Sequence, residues 1–124
     1  QPHIDLVQGI MASGADVIIA HGPHVPQGVL RSGGRLALLS AGNFLFRPDY
    51  RMPKKAHSSL ITKITISPEK MTLALLPLML DSSGKPKIPT PEQAFSILSN
   101  IAHLSAKLET NVVVKNNVGY VTVE

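Results

Sequence analysis

Apolar residues recur at helical spacing at the beginning of the chain and again near its end. The first helix is predicted over residues 3–13 and ends before Gly14. Its apolar face is formed by Ile4, Val7, Ile10 and Met11. The second helix is predicted over residues 91–108, and Thr90 and Gln93 form a capping box at its start. Its buried stripe consists of Ala94, Ile97, Leu98, Ile101, Leu104 and Leu108.

Runs of β-branched and alternating apolar residues predict strands in the rest of the chain. Residues 16–20 are nearly all apolar, as expected of a parallel strand that is covered on both faces. Three hairpins are predicted, pairing residues 27–30 with 35–40, 60–66 with 71–76, and 112–114 with 120–123. Loops are predicted over residues 47–57 and 81–89. The predicted fold class is therefore α/β, with a mixed sheet (α+β) backed by the two helices.

The chain of 124 residues is long enough for one domain with a core and too short for two. We expect residues 1–124 to form a single domain or the C-terminal part of a larger one. The chain opens inside a predicted helix without an initiator Met, so an earlier strand and any membrane anchor or export signal are expected outside it. The longest apolar run, residues 73–80, is interrupted by Pro77 and is shorter than a membrane span.

Composition narrows the classes of partner. The formal charge of +4 favours an anionic partner, although the basic group of Arg47, Arg51, Lys54 and Lys55 is interpreted as a solvated loop. The chain has three Phe, two Tyr and no Trp. So few aromatic rings disfavour a nucleic-acid partner whose bases would stack on them. The absence of cysteine excludes disulfides and thiolate metal ligands, and it suits an oxidising compartment.

Two histidines follow the strand predicted at residues 16–20. His21 and His24 are separated by Gly-Pro, and neutral imidazole is a good ligand for zinc, iron or manganese. Two imidazoles are too few for a hydrolytic metal centre, and no carboxylate is spaced to complete the set locally. The alternative is that His21 and His24 are surface or hydrogen-bonded residues without a metal.

Two motifs carry a resemblance to a known family. The stretch Gly-Ala-Asp-Val-Ile-Ile-Ala-His-Gly-Pro-His from Gly14, followed by Ser-Ala-Gly-Asn-Phe-Leu-Phe from Ser40, resembles the bacterial CapA-type poly-γ-glutamate and capsule biosynthesis proteins. These proteins belong with the calcineurin-like metallophosphoesterases. The resemblance implies that this chain is the C-terminal half of a layered metallophosphatase-like α/β sandwich, in an extracytoplasmic protein of the cell surface or periplasm.

The family's residue roles carry over only at matching positions. The metal-binding role falls on His24 and on His21, whereas Gly22 stands where one variant of the motif has a histidine. Asn43 falls on the Asn of the family's Gly-Asn-Phe motif. It is interpreted either as a polar group that lines the site or as a turn residue that bonds its own backbone. Phe44 and Phe46 are expected in the core. Asp16 is expected at the start of a strand.

The resemblance implies a divalent metal centre containing manganese, zinc or iron, whose metals activate a water for attack on a phosphate or similar group. The remaining ligands would precede Gln1, so we predict that this chain alone has no hydrolase activity.

Three functional hypotheses remain open at this stage. The first is a capsule or poly-γ-glutamate biosynthesis protein with a phosphoesterase-like fold. The second is a non-catalytic binding or scaffolding module for an anionic surface polymer or for assembly partners. The third is a small independent α+β domain. A half sandwich would leave an apolar sheet edge or face uncovered, which predicts self-association or pairing with the missing N-terminal half.

Overall fold

The computed structural model describes residues 2–47 and 51–124, and it shows the predicted mixed α+β class with two helices, and its strands are divided between two sheets. The elements are α1 (Pro2–Ala12), β1 (Val17–Ile19), β2 (Val29–Ser32), β3 (Arg35–Leu38), β4 (Ser58–Ile66), β5 (Met71–Leu80), β6 (Pro86–Lys87), α2 (Pro91–Ala106), β7 (Val113–Lys115) and β8 (Val118–Val123). A short 3-10 helix spans Lys54–His57. Residues 48–50 of the predicted loop lie outside the described residues.

The first sheet has three strands in the order β1-β3-β2. β1 is parallel to β3, and β2 and β3 form the predicted hairpin around Gly33 and Gly34, which both have positive φ. β1 has core residues on both faces, because Val17 and Ile19 pack against one cluster and Ile18 packs against the other. The three residues are nevertheless only half-buried, and β1 is an edge strand of the sheet, so the predicted burial is reached in part.

The second sheet has the order β4-β5-β8-β7, and β6 pairs with the end of β5. Both predicted hairpins are present, and Asn116 and Asn117 adopt the positive φ angles that the β7-β8 turn requires. Pro77 is tolerated inside β5. It lies between the segment that pairs with β8, residues 71–75, and the segment that pairs with β6, residues 79–80, so no strand on that side needs its missing N–H.

The core is divided by the first sheet. On one face, β2 and β3 pack with the second sheet and α2, in a cluster that includes Val29, Leu36, Leu38, Leu73 and Ile101. On the other face, alternate residues of the same strands pack against α1, in a cluster of Val7, Met11, Leu30, Ala37 and Leu39. The first sheet is therefore a central layer, with one helix on one side and the second sheet with the other helix on the opposite side.

The helices follow their predicted boundaries closely, with two differences in burial. The capping box of Thr90 and Gln93 is formed as predicted. Ile10 is 43% exposed because α1 presents only Val7 and Met11 fully to the narrow first sheet. In α2 the predicted Ala94, Ile97, Leu98 and Ile101 are buried together with Ser105, whereas Leu104 is half-buried, and so is Leu108, which lies beyond the end of the helix. Neither helix of the described chain has the length and apolar character that a membrane span requires.

Candidate functional site

The parallel pairing of β1 and β3 brings the two sequence motifs to one edge of the first sheet. The chain leaves β1 at Ala20, whose N–H donates to the carbonyl of Leu38 at the end of β3 (2.9 Å). The N–H of Ala41 donates in turn to the carbonyl of Ala20 (3.3 Å). Because both strands end at the same edge, the segment of His21 to His24 and the turn that carries Asn43 are neighbours in space.

Gly42 fixes the turn that presents Asn43. It has a φ of +79°, and a Cβ atom added there would lie 2.9 Å from the carbonyl oxygen of Ser58. Gly42 also forms an isolated antiparallel bridge with Ser59, next to the hydrogen bond from the Leu60 N–H to the Ala41 carbonyl (2.9 Å). The turn is therefore held against the beginning of β4, and only glycine fits this close approach.

The central contact of the site joins the imidazole of His24 to the side chain of Asn43. The Nδ1 atom of His24 lies 2.8 Å from the Oδ1 atom of Asn43. An amide oxygen can only accept a hydrogen bond, so Nδ1 carries the proton and donates it. In the neutral ring the Nε2 atom is then the one with a free lone pair. His24 is exposed, so this arrangement offers Nε2 to an incoming ligand.

Asn43 also holds the backbone around the histidine. Its Nδ2 atom donates to the carbonyl of His24 (3.2 Å) and to the carbonyl of Ala56 (3.2 Å), and the side chain is 7% exposed. The first of these bonds supports a His24 backbone with a φ of 62°, a left-handed conformation that is uncommon outside glycine. The side chain of Asn43 thus contacts the site residue His24 and the 3-10 helix.

The prediction that Phe44 and Phe46 are core residues is wrong. Phe44 is 58% exposed, Leu45 is 71% exposed and Phe46 is 38% exposed. After Asn43 the chain leaves the sheet without forming a strand, and within residues 2–47 and 51–124 no element covers these side chains. Phe46 nevertheless has a partner, because its ring packs on that of His24 with the centroids 5.0 Å apart.

The remaining sequence candidates take no part in this contact. His21 is exposed, and it makes no hydrogen bond to His24 or Asn43. Asp16 is exposed before β1, and its carbonyl accepts from the N–H of Leu36 (3.1 Å). Across the described residues, no three His, Asp or Glu side chains form a group that could hold a metal ion. The fit to a metal is therefore partial: the described chain offers the Nε2 of His24 and leaves the other ligands to be supplied.

Sequence reasoning missed two supports of the site. The carbonyl of Ala56 accepts from Asn43, and His57 next to it donates from Nδ1 to the carbonyl of Leu80 at the end of β5 (3.2 Å). The carbonyl of Gly84 accepts from the N–H of Phe46 (3.1 Å). The sequence feature that could have indicated this contact is Gly84 itself, in the predicted loop of residues 81–89.

The fold and the site define a mixed α+β chain with an oriented histidine at the carboxyl edge of a parallel strand pair. Residues 1–48 match the model of a family described as bacterial capsule synthesis protein PGA_cap. The matched residues include α1, the first sheet, His21, His24 and Asn43. This match confirms the resemblance to capsule biosynthesis proteins for the first 48 residues. A search of the curated proteins found no match to the chain.

Proposed function

We propose that this chain is the C-terminal part of a capsule or poly-γ-glutamate biosynthesis protein, and that His24 contributes one ligand to a divalent metal centre of the phosphoesterase-like kind. The observation that carries the proposal is the hydrogen bond from His24 to Asn43. Metal-binding histidines commonly donate their second ring N–H to an oxygen, which fixes the tautomer and the direction of the free nitrogen. His24 has this arrangement.

The ligand set has to be completed from outside His24. His21, three positions earlier on the same loop, is the candidate for a second imidazole, and the remaining ligands would come from a preceding segment of the protein or from another chain. When bound, manganese, zinc or iron would lower the pKa of a bound water and polarise a phosphate oxygen. The role of Asn43 is to hold the His24 ring, and that of Phe46 is to support one face of it.

The location and partners belong to the same proposal. A capsule polymer is assembled at the cell surface, so we place the protein outside the cytoplasm. The apolar side chains of Phe44, Leu45 and Phe46 are exposed, and Phe46 packs against His24, so a preceding segment of the protein or a second copy is proposed to cover them. The formal charge of +4 is complementary to an anionic polymer such as poly-γ-glutamate.

Metal content tests the proposal directly. The purified chain, the His24→Ala variant and the control variant His103→Ala are dialysed to equilibrium against buffer that contains zinc, manganese or iron, and the metal bound in excess of the buffer is measured by elemental mass spectrometry. His103 is an exposed histidine of α2, so its removal takes away one imidazole without touching the site. We expect the wild type and His103→Ala to bind metal weakly, because the ligand set is incomplete, and His24→Ala to bind less. Equal binding by all three proteins would refute the assignment of His24.

The second candidate function is a non-catalytic module that binds the anionic polymer. It is favoured by the exposed cations Arg47, Lys54 and Lys55 and by the absence, among the described residues, of a complete ligand group. In this case the wild type retains no metal but binds poly-γ-glutamate, and Lys54→Ala with Lys55→Ala weakens that binding. In either case we predict no phosphodiester hydrolysis by this chain alone. Turnover with added manganese that disappears in His24→Ala would contradict that prediction.

A further inference from the structure

We propose that the turn at the end of β5, residues 81–85, is a positioning element for His24, and that Gly84 and Asp81 are its key residues. Only the expected effect on metal affinity rests on the proposed function; the positioning of the His24 ring does not. The turn lies outside residues 1–48, which match the capsule synthesis family, and it is more than fifty residues away from His24 in the sequence. Contacts in three steps connect the two.

The first step is the folding of the turn by one carboxylate oxygen. The Oδ1 atom of Asp81 accepts from the hydroxyl of Ser83 (2.6 Å), from the N–H of Ser83 (2.8 Å) and from the N–H of Lys85 (3.1 Å). Two backbone bonds close the same turn, from the Asp81 N–H to the Lys85 carbonyl (2.9 Å) and from the Gly84 N–H to the Asp81 carbonyl (3.0 Å). The conformation of Gly84 is thereby fixed, with a φ of +85°.

The second step is the close approach of this turn to the segment after Asn43. The carbonyl of Gly84 accepts from the N–H of Phe46 (3.1 Å). A Cβ atom at Gly84 would lie 2.6 Å from the carbonyl carbon and oxygen of Phe46 and from the backbone nitrogen of Arg47. These neighbours are backbone atoms and cannot rotate away. Any other residue at Gly84 must therefore push Phe46 out of its place.

The third step leads from Phe46 to the histidine. The Phe46 ring packs against the His24 ring at a centroid distance of 5.0 Å and an interplanar angle of 36°. The end of β5 also supports Asn43. The carbonyl of Leu80 accepts a hydrogen bond from His57, which follows Ala56, and the carbonyl of Ala56 accepts from Asn43. The end of β5 thus supports both groups that orient His24: the ring of Phe46 and the side chain of Asn43.

The test compares Gly84→Ala with Gly34→Ala. Gly34 has a similar φ of +76°, but a Cβ atom there would meet nothing closer than the Glu124 carbonyl oxygen at 4.0 Å. Both variants therefore carry the strain of a positive φ, and only the first displaces Phe46. Asp81→Ala is the second variant, with Glu69→Ala as its control, because Glu69 also accepts a serine hydroxyl in a turn, at the other end of β5 (3.1 Å).

Two readouts are measured on the folded proteins. The first is the NMR signature of the His24 ring without metal: the ring proton shifts and the long-range proton–nitrogen pattern that identifies the protonated nitrogen. The second is zinc affinity from a titration with the metal alone. We expect Gly84→Ala and Asp81→Ala to change the His24 ring signals and to weaken zinc binding roughly tenfold, as loss of supporting contacts commonly does. Both controls should match the wild type.

The outcomes separate the two proposals. Unchanged His24 ring signals in folded Gly84→Ala would overturn the positioning role, and if that variant does not fold, unchanged signals in Asp81→Ala would overturn it. A wild type that binds no zinc would refute metal binding by this chain. The ring signals of the metal-free proteins would then decide the positioning role alone.

Discussion

Changing Asn43 to aspartate keeps the size and shape of the side chain but removes both of its N–H donors. In the wild type, Nδ2 donates to the carbonyl oxygens of His24 and Ala56, each at 3.2 Å. In the variant, a carboxylate oxygen would face these two carbonyl oxygens at the same distance. The other carboxylate oxygen would still accept from Nδ1 of His24, so the tautomer of the ring would be preserved while its support is lost.

The magnitude follows from the burial of the two bonds. The bond to Ala56 is buried, so its orphaned carbonyl costs about 1–3 kcal/mol, whereas water can replace much of the partly exposed bond to His24. Repulsion between oxygens and the burial of a charge add to this cost, and we expect the free energy of unfolding of Asn43→Asp to fall by about 2–4 kcal/mol. Asn43→Ala loses the same donors without the repulsion between oxygens, so its free energy of unfolding should fall by about 1–3 kcal/mol.

The assay is urea denaturation followed by circular dichroism, with all variants measured in the same buffer. Asn100→Asp is the matched control, because Asn100 uses its Oδ1 atom to accept from the Nζ atom of Lys55 at the surface (3.0 Å). An aspartate there keeps this contact and should leave stability nearly unchanged. If Asn43→Asp proves as stable as the wild type, Nδ2 does not donate to the two carbonyls, and the assignment of the His24 tautomer fails with it.

Three further predictions concern the core and the turn at Asp81. Ser105→Ala removes the hydroxyl that accepts the first N–H of β2 (2.9 Å), and we expect urea denaturation to show a loss of about 1–3 kcal/mol. Leu73→Ala, at a fully buried position, should cost about 2–5 kcal/mol, and exposed Leu45→Ala should change stability by no more than about 0.5 kcal/mol. Hydrogen bonds to the Asp81 carboxylate, first of all from the Ser83 hydroxyl, hold the pKa of Asp81 below its ordinary value of 3.8. The stabilisation that ionised Asp81 gives is therefore complete above pH 3.8 and is lost as the pH falls through the lowered pKa. An NMR titration in which the amide signals of residues 81–85 move with a midpoint at pH 3.8 or higher would contradict the lowered pKa.

The secondary structure could be predicted from the sequence where short-range chemistry determines it. The Thr90 capping box and the paired glycines after Ser32 act within a few residues, and the structure forms them where they were expected. The errors concern burial. Phe44 and Phe46 are apolar, and nothing in their neighbourhood in the sequence indicates that the chain leaves the sheet after Asn43. Burial depends on which elements arrive from elsewhere, and a local pattern does not contain that information.

The candidate site was predictable in its location and not in its bonds. The expectation that the histidine loop follows a parallel strand placed His24 at the correct sheet edge, since β1 and β3 end together. The hydrogen bond between His24 and Asn43 depends on the left-handed backbone of His24, nineteen residues before Asn43. It also depends on the carbonyl of Ala56, thirteen residues after Asn43. Neither feature has a signature in a single sequence, because the motif alone does not indicate which backbone carbonyls are left free to accept a hydrogen bond.

The supports of His24 explain why the site needs the second sheet, although its polar groups come from the first. Asn43 is anchored to the carbonyl of Ala56, and Phe46 is anchored to the carbonyl of Gly84; both anchors are attached to the end of β5, directly or through His57. β5 is in turn the strand that joins β4, β6 and β8 into one sheet. A shift of β5 along its neighbours would therefore move both supports of the imidazole together. It follows that the motif residues within 1–48 specify which groups are present at the site, whereas the remainder of the chain determines whether the imidazole is held in place.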